Sequence, residues 1–149
     1  MELVRKRHHI LLVEDNPGDA DAVSEALRAL DEPADLVVVR NGYSALDYLM
    51  RQSPFEDAPR PDLVLLDLTI PGLGGRQVLS KIKGNGLIKT IPVVMFSSAC
   101  DPATIADCQR VADGYIVKPR TRAECIDRMR VVLRQLWGGD GPSRRTTSA

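Results

Sequence analysis

The stretch that most constrains this chain is Pro61-Asp62-Leu63-Val64-Leu65-Leu66-Asp67-Leu68-Thr69-Ile70-Pro71. Its middle is a continuous apolar run, the pattern of a strand buried on both faces, and such strands belong to parallel sheets covered by helices. The run ends on a carboxylate, Asp67, and Pro71-Gly72 then stops any strand. An acid at the carboxyl end of a buried parallel strand lies where open α/β sheets place their ligand sites. Taken alone, Asp67 reads as a turn or helix-cap residue, because Asp is common at such ends. The rest of the chain decides between the two readings.

Residues 8–13, His-His-Ile-Leu-Leu-Val, form a short buried strand that also ends on acids, Glu14-Asp15. Asn16-Pro17-Gly18-Asp19 is turn chemistry, with Pro17 suited to a first helical turn. Ala22, Val23, Ala26, Leu27 and Leu30 mark one face of a helix over 19–30, which Asp31-Glu32-Pro33 stops. A β-branched run at 36–39 leads to Arg40-Asn41-Gly42, and Ala45, Leu46, Leu49 and Met50 mark a second helix. Residues 52–61 form a loop longer than usual. After the central strand, 72–75 (Gly-Leu-Gly-Gly) reads as a flexible loop, and Val78, Leu79 and Ile82 mark a third helix broken at Gly84-Asn85-Gly86. Residues 91–96 form a fourth strand ending on Ser97-Ser98; 102–112 is a less apolar helix; 114–117 is a fifth strand ending on Lys118-Pro119. Thr121 caps a last helix to about Trp137, with Glu124 completing a capping box.

Strand and helix therefore alternate five times, which predicts a parallel sheet with right-handed crossovers and helices on both faces. A chain of 149 residues fits one such domain. We expect an extension over 1–7, a domain over 8–137 and a flexible tail over 138–149. All strand carboxyl ends of a parallel sheet lie on one edge. That edge receives Glu14 and Asp15, then Asp67, Ser97, Ser98 and Lys118. Crowded carboxylates repel unless a cation sits among them, and hard divalent ions such as Mg²⁺ or Mn²⁺ prefer oxygen ligands. Lys118 adds a point charge and Ser97 a hydroxyl, a set suited to a phosphoryl group. Each residue alone has a plainer role, as helix-end acid, solvated lysine or loop serine. Their joint arrival at one edge favours a site.

These motifs resemble the response-regulator receiver domain of two-component signalling. The match rests on Val13-Glu14-Asp15-Asn16-Pro17, Leu65-Leu66-Asp67-Leu68-Thr69-Ile70-Pro71, Phe96-Ser97-Ser98-Ala99 and Gly114-Tyr115-Ile116-Val117-Lys118-Pro119, and it covers about residues 8–137. The resemblance implies a (βα)5 flavodoxin-like fold of strand order 2-1-3-4-5, with Asp67 as phosphoacceptor. It implies Mg²⁺ held by Asp15, Asp67 and the Thr69 carbonyl, with Glu14 acting through water. Lys118 would contact the phosphoryl group, and Ser97 and Tyr115 would form a switch pair. The donor would be a sensor histidine kinase, and the protein a regulator without independent turnover. Two departures stand out: Gly74-Gly75 where many receivers have Asp-Gly, which suggests a looser loop, and Arg120 after Lys-Pro. The 52–61 loop, the Glu-Asp-Asn-Pro-Gly-Asp opening and the absence of an output domain are similar to stand-alone regulators paired with bacterial phytochromes.

Lys+Arg and Asp+Glu are both 20, which gives no electrostatic support for binding DNA, and no apolar run is long enough to span a membrane. The three cysteines lack CxxC spacing and read as reduced cytoplasmic thiols, with Cys108 and Cys125 on helices. Cys125, Ile126, Met129, Val131, Val132, Leu133, Leu136 and Trp137 exceed one helical stripe. That surplus predicts a homodimer through the fourth helix, fifth strand and fifth helix. Within the same resemblance, an alternative is a shuttle that relays phosphate to a histidine phosphotransfer protein. An aspartyl-nucleophile phosphatase would carry Asp-x-Asp after its first strand. A flavin-phosphate binder would not place Glu14-Asp15 against a phosphate.

Overall fold

The structure is a computed structural model that describes residues 7–138. The expectations for 1–6 and 139–149 therefore lie outside the described residues. Ten elements alternate: β1 (His8–Val13), α1 (Pro17–Ala29), β2 (Ala34–Val39), α2 (Gly42–Leu49), β3 (Leu63–Leu66), α3 (Gly75–Lys83), β4 (Val93–Ser97), α4 (Pro102–Gln109), β5 (Gly114–Val117) and α5 (Arg122–Trp137). The strands form one sheet in the order β2-β1-β3-β4-β5, with every neighbouring pair parallel. This is the doubly wound (βα)5 arrangement the alternation predicted.

Period-two alternation sorts the strand side chains between two cores. Leu11, Val13, Val64, Leu66 and Met95 pack under α2, α3 and α4; Ile10, Leu12, Leu63, Leu65, Val94 and Phe96 pack under α1 and α5. All four β3 residues are fully buried. Truncating one of them, such as Leu65→Ala, carries a cost of about 2–5 kcal/mol. The sheet edges are less covered, and Val38 on β2 is 40% exposed.

Several boundaries move from their sequence positions for local reasons. α1 begins at Pro17 because Asn16 caps it, its side chain accepting from the Asp19 N–H. β4 begins after Pro92, which has no N–H to donate. α4 stops at Gln109 because the Val111 and Ala112 amides share the Cys108 carbonyl and tighten the turn. At α5 only half of the capping box forms. Thr121 accepts from the Glu124 N–H, while the Glu124 carboxylate accepts from Arg120.

The 72–75 loop is closely packed. A Cβ at Gly75 would lie 2.3 Å from the Asp67 carbonyl oxygen and 2.6 Å from the Leu68 Cα. Gly75 is buried, its N–H donates to the Leu68 carbonyl, and the Gly74 N–H donates to the Gln77 side chain. The glycine is there for close approach as α3 starts against the end of β3. The surplus apolar side chains of α5 are also largely absorbed. Ile126, Leu136 and Trp137 pack on the α1/α5 core, and Trp137 stacks on His8 at 3.6 Å between ring centroids. Val131 remains 54% exposed. Cys108 and Cys125 are buried on their helices, and Cys100 is exposed. Among the described residues no helix is long and apolar enough to cross a membrane.

Candidate functional site

The site grows from strand register. Val13 pairs with Leu66, so the residues that follow them, Glu14 and Asp67, emerge side by side. The Asp67 N–H donates to the Val13 carbonyl, and the Glu14 N–H donates to that of Val39. Glu14 turns inward and is 2% exposed, and Asp67 is 4% exposed; Asp15 is exposed at the mouth. One carboxylate oxygen from each of these three residues lies within 4.8 Å of the other two. The Thr69 N–H donates to Asp67 Oδ1 at 3.2 Å, and Thr69 itself is exposed.

Lys118 enters from the opposite side. Its backbone N–H donates to the Ser97 carbonyl, which fixes where the side chain starts. Its Nζ lies 2.8 Å from Glu14 Oε1, 2.8 Å from Asp67 Oδ2 and 2.8 Å from Asp19 Oδ2. The ammonium also sits 5.7 Å from the centre of the Phe96 ring. Asp67 and Asp19 accept hydrogen bonds from this ammonium, and Glu14 Oε1 meets it as a close ion pair with no hydrogen bond of its own. Burial by itself would lower the Lys118 pKa, but the contacts with Asp19, Asp67 and Glu14 outweigh it and raise it above the ordinary lysine value. At Glu14 burial wins instead and pushes the carboxyl up to about 7, against the opposing pull of Lys118 and the Asn16 N–H.

Ser97 is buried, and its Oγ accepts from the Ala99 N–H at 3.2 Å. The Tyr115 hydroxyl donates to the Ala99 carbonyl at 2.7 Å, and burial raises its pKa. Ser97 and Tyr115 therefore meet on the same short segment, the turn after β4.

Two contributions escaped the sequence reading. Asp19 read only as a turn residue at the start of a helix; its signal was its place in the first turn of α1, one turn beyond Asp15. Arg40, which in sequence only precedes a turn, donates from its guanidinium to the Asp15 carbonyl at 3.4 Å. Asn41, beside it, caps α2 by accepting from the Ser44 N–H.

Four carboxylates face one ammonium at the carboxyl edge of the sheet. The donors are all hard oxygens, and the excess of negative charge fits a small divalent cation. The fold and this edge define a flavodoxin-like α/β protein with an oxygen-lined cation site. The family model for the response regulator receiver domain matches residues 10–130, and the chain belongs to that family, the receivers of two-component signalling. It is 38% identical over 112 residues to the response regulator Rcp1 of Synechocystis sp., covering 74% of this chain and 76% of Rcp1. Among solved structures it resembles the phosphorylated cyanobacterial phytochrome response regulator RcpA, with TM-score 0.81 and 33% identity over 88% of this chain and 94% of that one. The Mn²⁺-bound form of Rcp1 matches with TM-score 0.79 and 32% identity, over 87% and 95% of the two chains. Other curated relatives are longer: the chain spans 54% of the transcriptional regulatory protein CseB of Streptomyces avermitilis, at 33% identity over 92% of this chain.

Proposed function

We propose that this chain is a single-domain response regulator, with its domain over residues 8–137, in which Asp67 accepts a phosphoryl group from a sensor histidine kinase. The observation that carries this reading is the convergence of Asp67, Glu14 and Asp19 on Lys118 Nζ, each at 2.8 Å, beside the exposed Asp15. A nucleophile, a cation for phosphoryl oxygens and an acidic metal cradle are then in one place.

An Asp67 carboxylate oxygen attacks phosphorus in line. The new P–O bond forms as the P–N bond to the donor imidazole breaks, and the ring nitrogen leaves with the electron pair. Asp15, Asp67 and the Thr69 carbonyl would hold Mg²⁺, or Mn²⁺ as Rcp1 does. When bound, the ion supplies positive charge to phosphoryl oxygens. Glu14 stays behind this set, held by Lys118 and the Asn16 N–H, and acts through water. Lys118 contacts the phosphoryl oxygens from the other side. Ser97 turns its hydroxyl from the Ala99 N–H toward them, and Tyr115 follows into the space released. That movement biases the surface of α4, β5 and α5 between two arrangements.

The likeness to Rcp1 and RcpA supports a bacteriophytochrome as the kinase, and a cytoplasmic site of action. Self-association through α4, β5 and α5 belongs to the same proposal. Its support is narrower than the sequence suggested and rests on exposed Val111 and Val131.

Incubation with Mg²⁺ and acetyl phosphate tests the reading by intact mass. The wild type gains one acyl phosphate and Asp67→Asn gains none; unchanged labelling of that variant overturns the mechanism. Sedimentation of the same samples tests self-association, which a monomer at high micromolar concentration in both states would overturn.

A further inference from the structure

We propose that Asp19 is a positioning residue that holds Lys118 in the unphosphorylated protein and releases it when Asp67 is phosphorylated. The proposal rests on the phosphoacceptor reading of Asp67. Asp67 and Asp19 accept hydrogen bonds from Lys118 Nζ, and Glu14 Oε1 closes it in from a third side as an ion pair, all three oxygens at 2.8 Å. With three carboxylate oxygens this close around Nζ, a phosphoryl oxygen reaches the ammonium only where one of these contacts opens.

The three are not equally easy to give up. The Glu14 side chain is 1% exposed, and its other oxygen already accepts from the Asn16 N–H. Taking Lys118 away would strand that charge out of reach of water, which is costly. Asp67 carries the incoming group, so Lys118 stays beside it. The Asp19 side chain is 37% exposed, and water replaces the ammonium there at small cost. Its carboxylate also sits in the first turn of α1, where the helix dipole favours a negative charge. Asp19 is therefore the contact that yields.

Two consequences follow for the site. Before phosphorylation, Asp19 competes with the donor's phosphoryl oxygens for Lys118 and adds a negative charge that repels the donor. After phosphorylation, Asp19 is uncovered, and the amino end of α1 becomes more negative. The modification is thereby reported on the α1 side of the site as well as through Ser97 and Tyr115.

The test combines donor kinetics with NMR of the lysine ammonium. In Asp19→Asn, the acetyl phosphate concentration for half-maximal labelling falls about fivefold while the maximal rate stays within about twofold. Asp19→Glu, which restores the charge, brings the half-maximal concentration back toward wild type. In metal-free, unphosphorylated protein, the Lys118 Nζ resonance shifts in Asp19→Asn and returns toward wild type in Asp19→Glu. Wild-type kinetics in Asp19→Asn, or an unmoved Lys118 resonance, overturns the proposal while leaving Asp67 labelling intact. If the wild type does not label at all, the phosphoacceptor reading has failed instead, and the metal-free resonance still reports on the Asp19–Lys118 contact.

Discussion

Two lysines serve opposite ends of β4 and show how a balanced charge differs from an unbalanced one. Lys83, at the amino end, lies 2.8 Å from Asp113 Oδ2 and also donates to the carbonyls of Lys89 and Ile91. Asp113 Oδ2 in turn accepts from the Val93 N–H. One cation meets one anion, the remaining donors go to neutral carbonyls, and the end of the strand is closed. Lys118, at the carboxyl end, meets three carboxylates, with Asp15 beside them. That end carries an excess of negative charge that a divalent cation would offset. A balanced pair fastens the fold; an unbalanced one stores affinity for a ligand.

The largest expected effect compares the glycines at these two ends. Gly75→Ala forces a Cβ into backbone at 2.3 and 2.6 Å. It should cost about 3 kcal/mol, the upper part of the overpacking range. Gly86→Ala, where a Cβ meets nothing within 4 Å, should stay within about 0.5 kcal/mol. Urea unfolding of both variants checks this, and equal losses would erase the contrast in backbone packing.

Removing the lysines sharpens the comparison further. In metal-free buffer Lys118→Met should lose about 2 kcal/mol, because buried carboxylates lose their counter-charge. Mg²⁺ should recover part of that loss. Lys83→Met should lose about 1 kcal/mol, with no recovery by Mg²⁺ and no change in Asp67 labelling. If Mg²⁺ rescues both variants alike, the two ends do not differ as described.

The smallest effect is a pH slope. The Glu14 carboxyl is held up to about 7, against an ordinary value of 4.5, so between these values the folded protein binds a proton that the unfolded chain does not. Stability from this group is present below pH 4.5 and is lost as pH rises through about 7. The shift, in which the pull of Lys118 is already counted, corresponds to at most roughly 3 kcal/mol, and about 1 kcal/mol is the expected size because the effective dielectric even at buried protein sites is well above that of a dry interior. Lys118, with its pKa raised, loses its own contribution only in alkaline solution and leaves this window alone. Metal-free protein should therefore unfold at lower urea at pH 8 than at pH 5 through this group. Glu14→Gln or added Mg²⁺ should flatten the slope; an unchanged slope in Glu14→Gln assigns it elsewhere.

Much of this site was legible in the sequence because its residues sit next to strand ends, and strand ends are marked by local pattern. The apolar runs stop at Glu14, Asp67, Ser97 and Lys118, and a parallel sheet collects such stops on one edge. The 72–75 segment shows the limit of that reading. Glycines signalled flexibility, yet Gly75 is required by its approach to the Asp67 carbonyl. The α5 surplus is a second case. Ile126, Leu136 and Trp137 looked available to a partner, and they pack largely against this chain's own core and His8.

By itself the sequence determined the five-fold alternation, the two-sided burial of the sheet and the chemistry delivered to its carboxyl edge. Each of these depends on periodicity within a dozen residues, so no long-range information is needed. Tertiary structure alone decided that Asp19 reaches Lys118 across 99 positions of sequence, that Arg40 touches the Asp15 carbonyl and that Trp137 lies flat on His8. Those contacts depend on the rotation and docking of helices against the sheet. Helix rotation and docking are set by how the side chains of distant elements fill the shared cores, which no short stretch of the chain encodes.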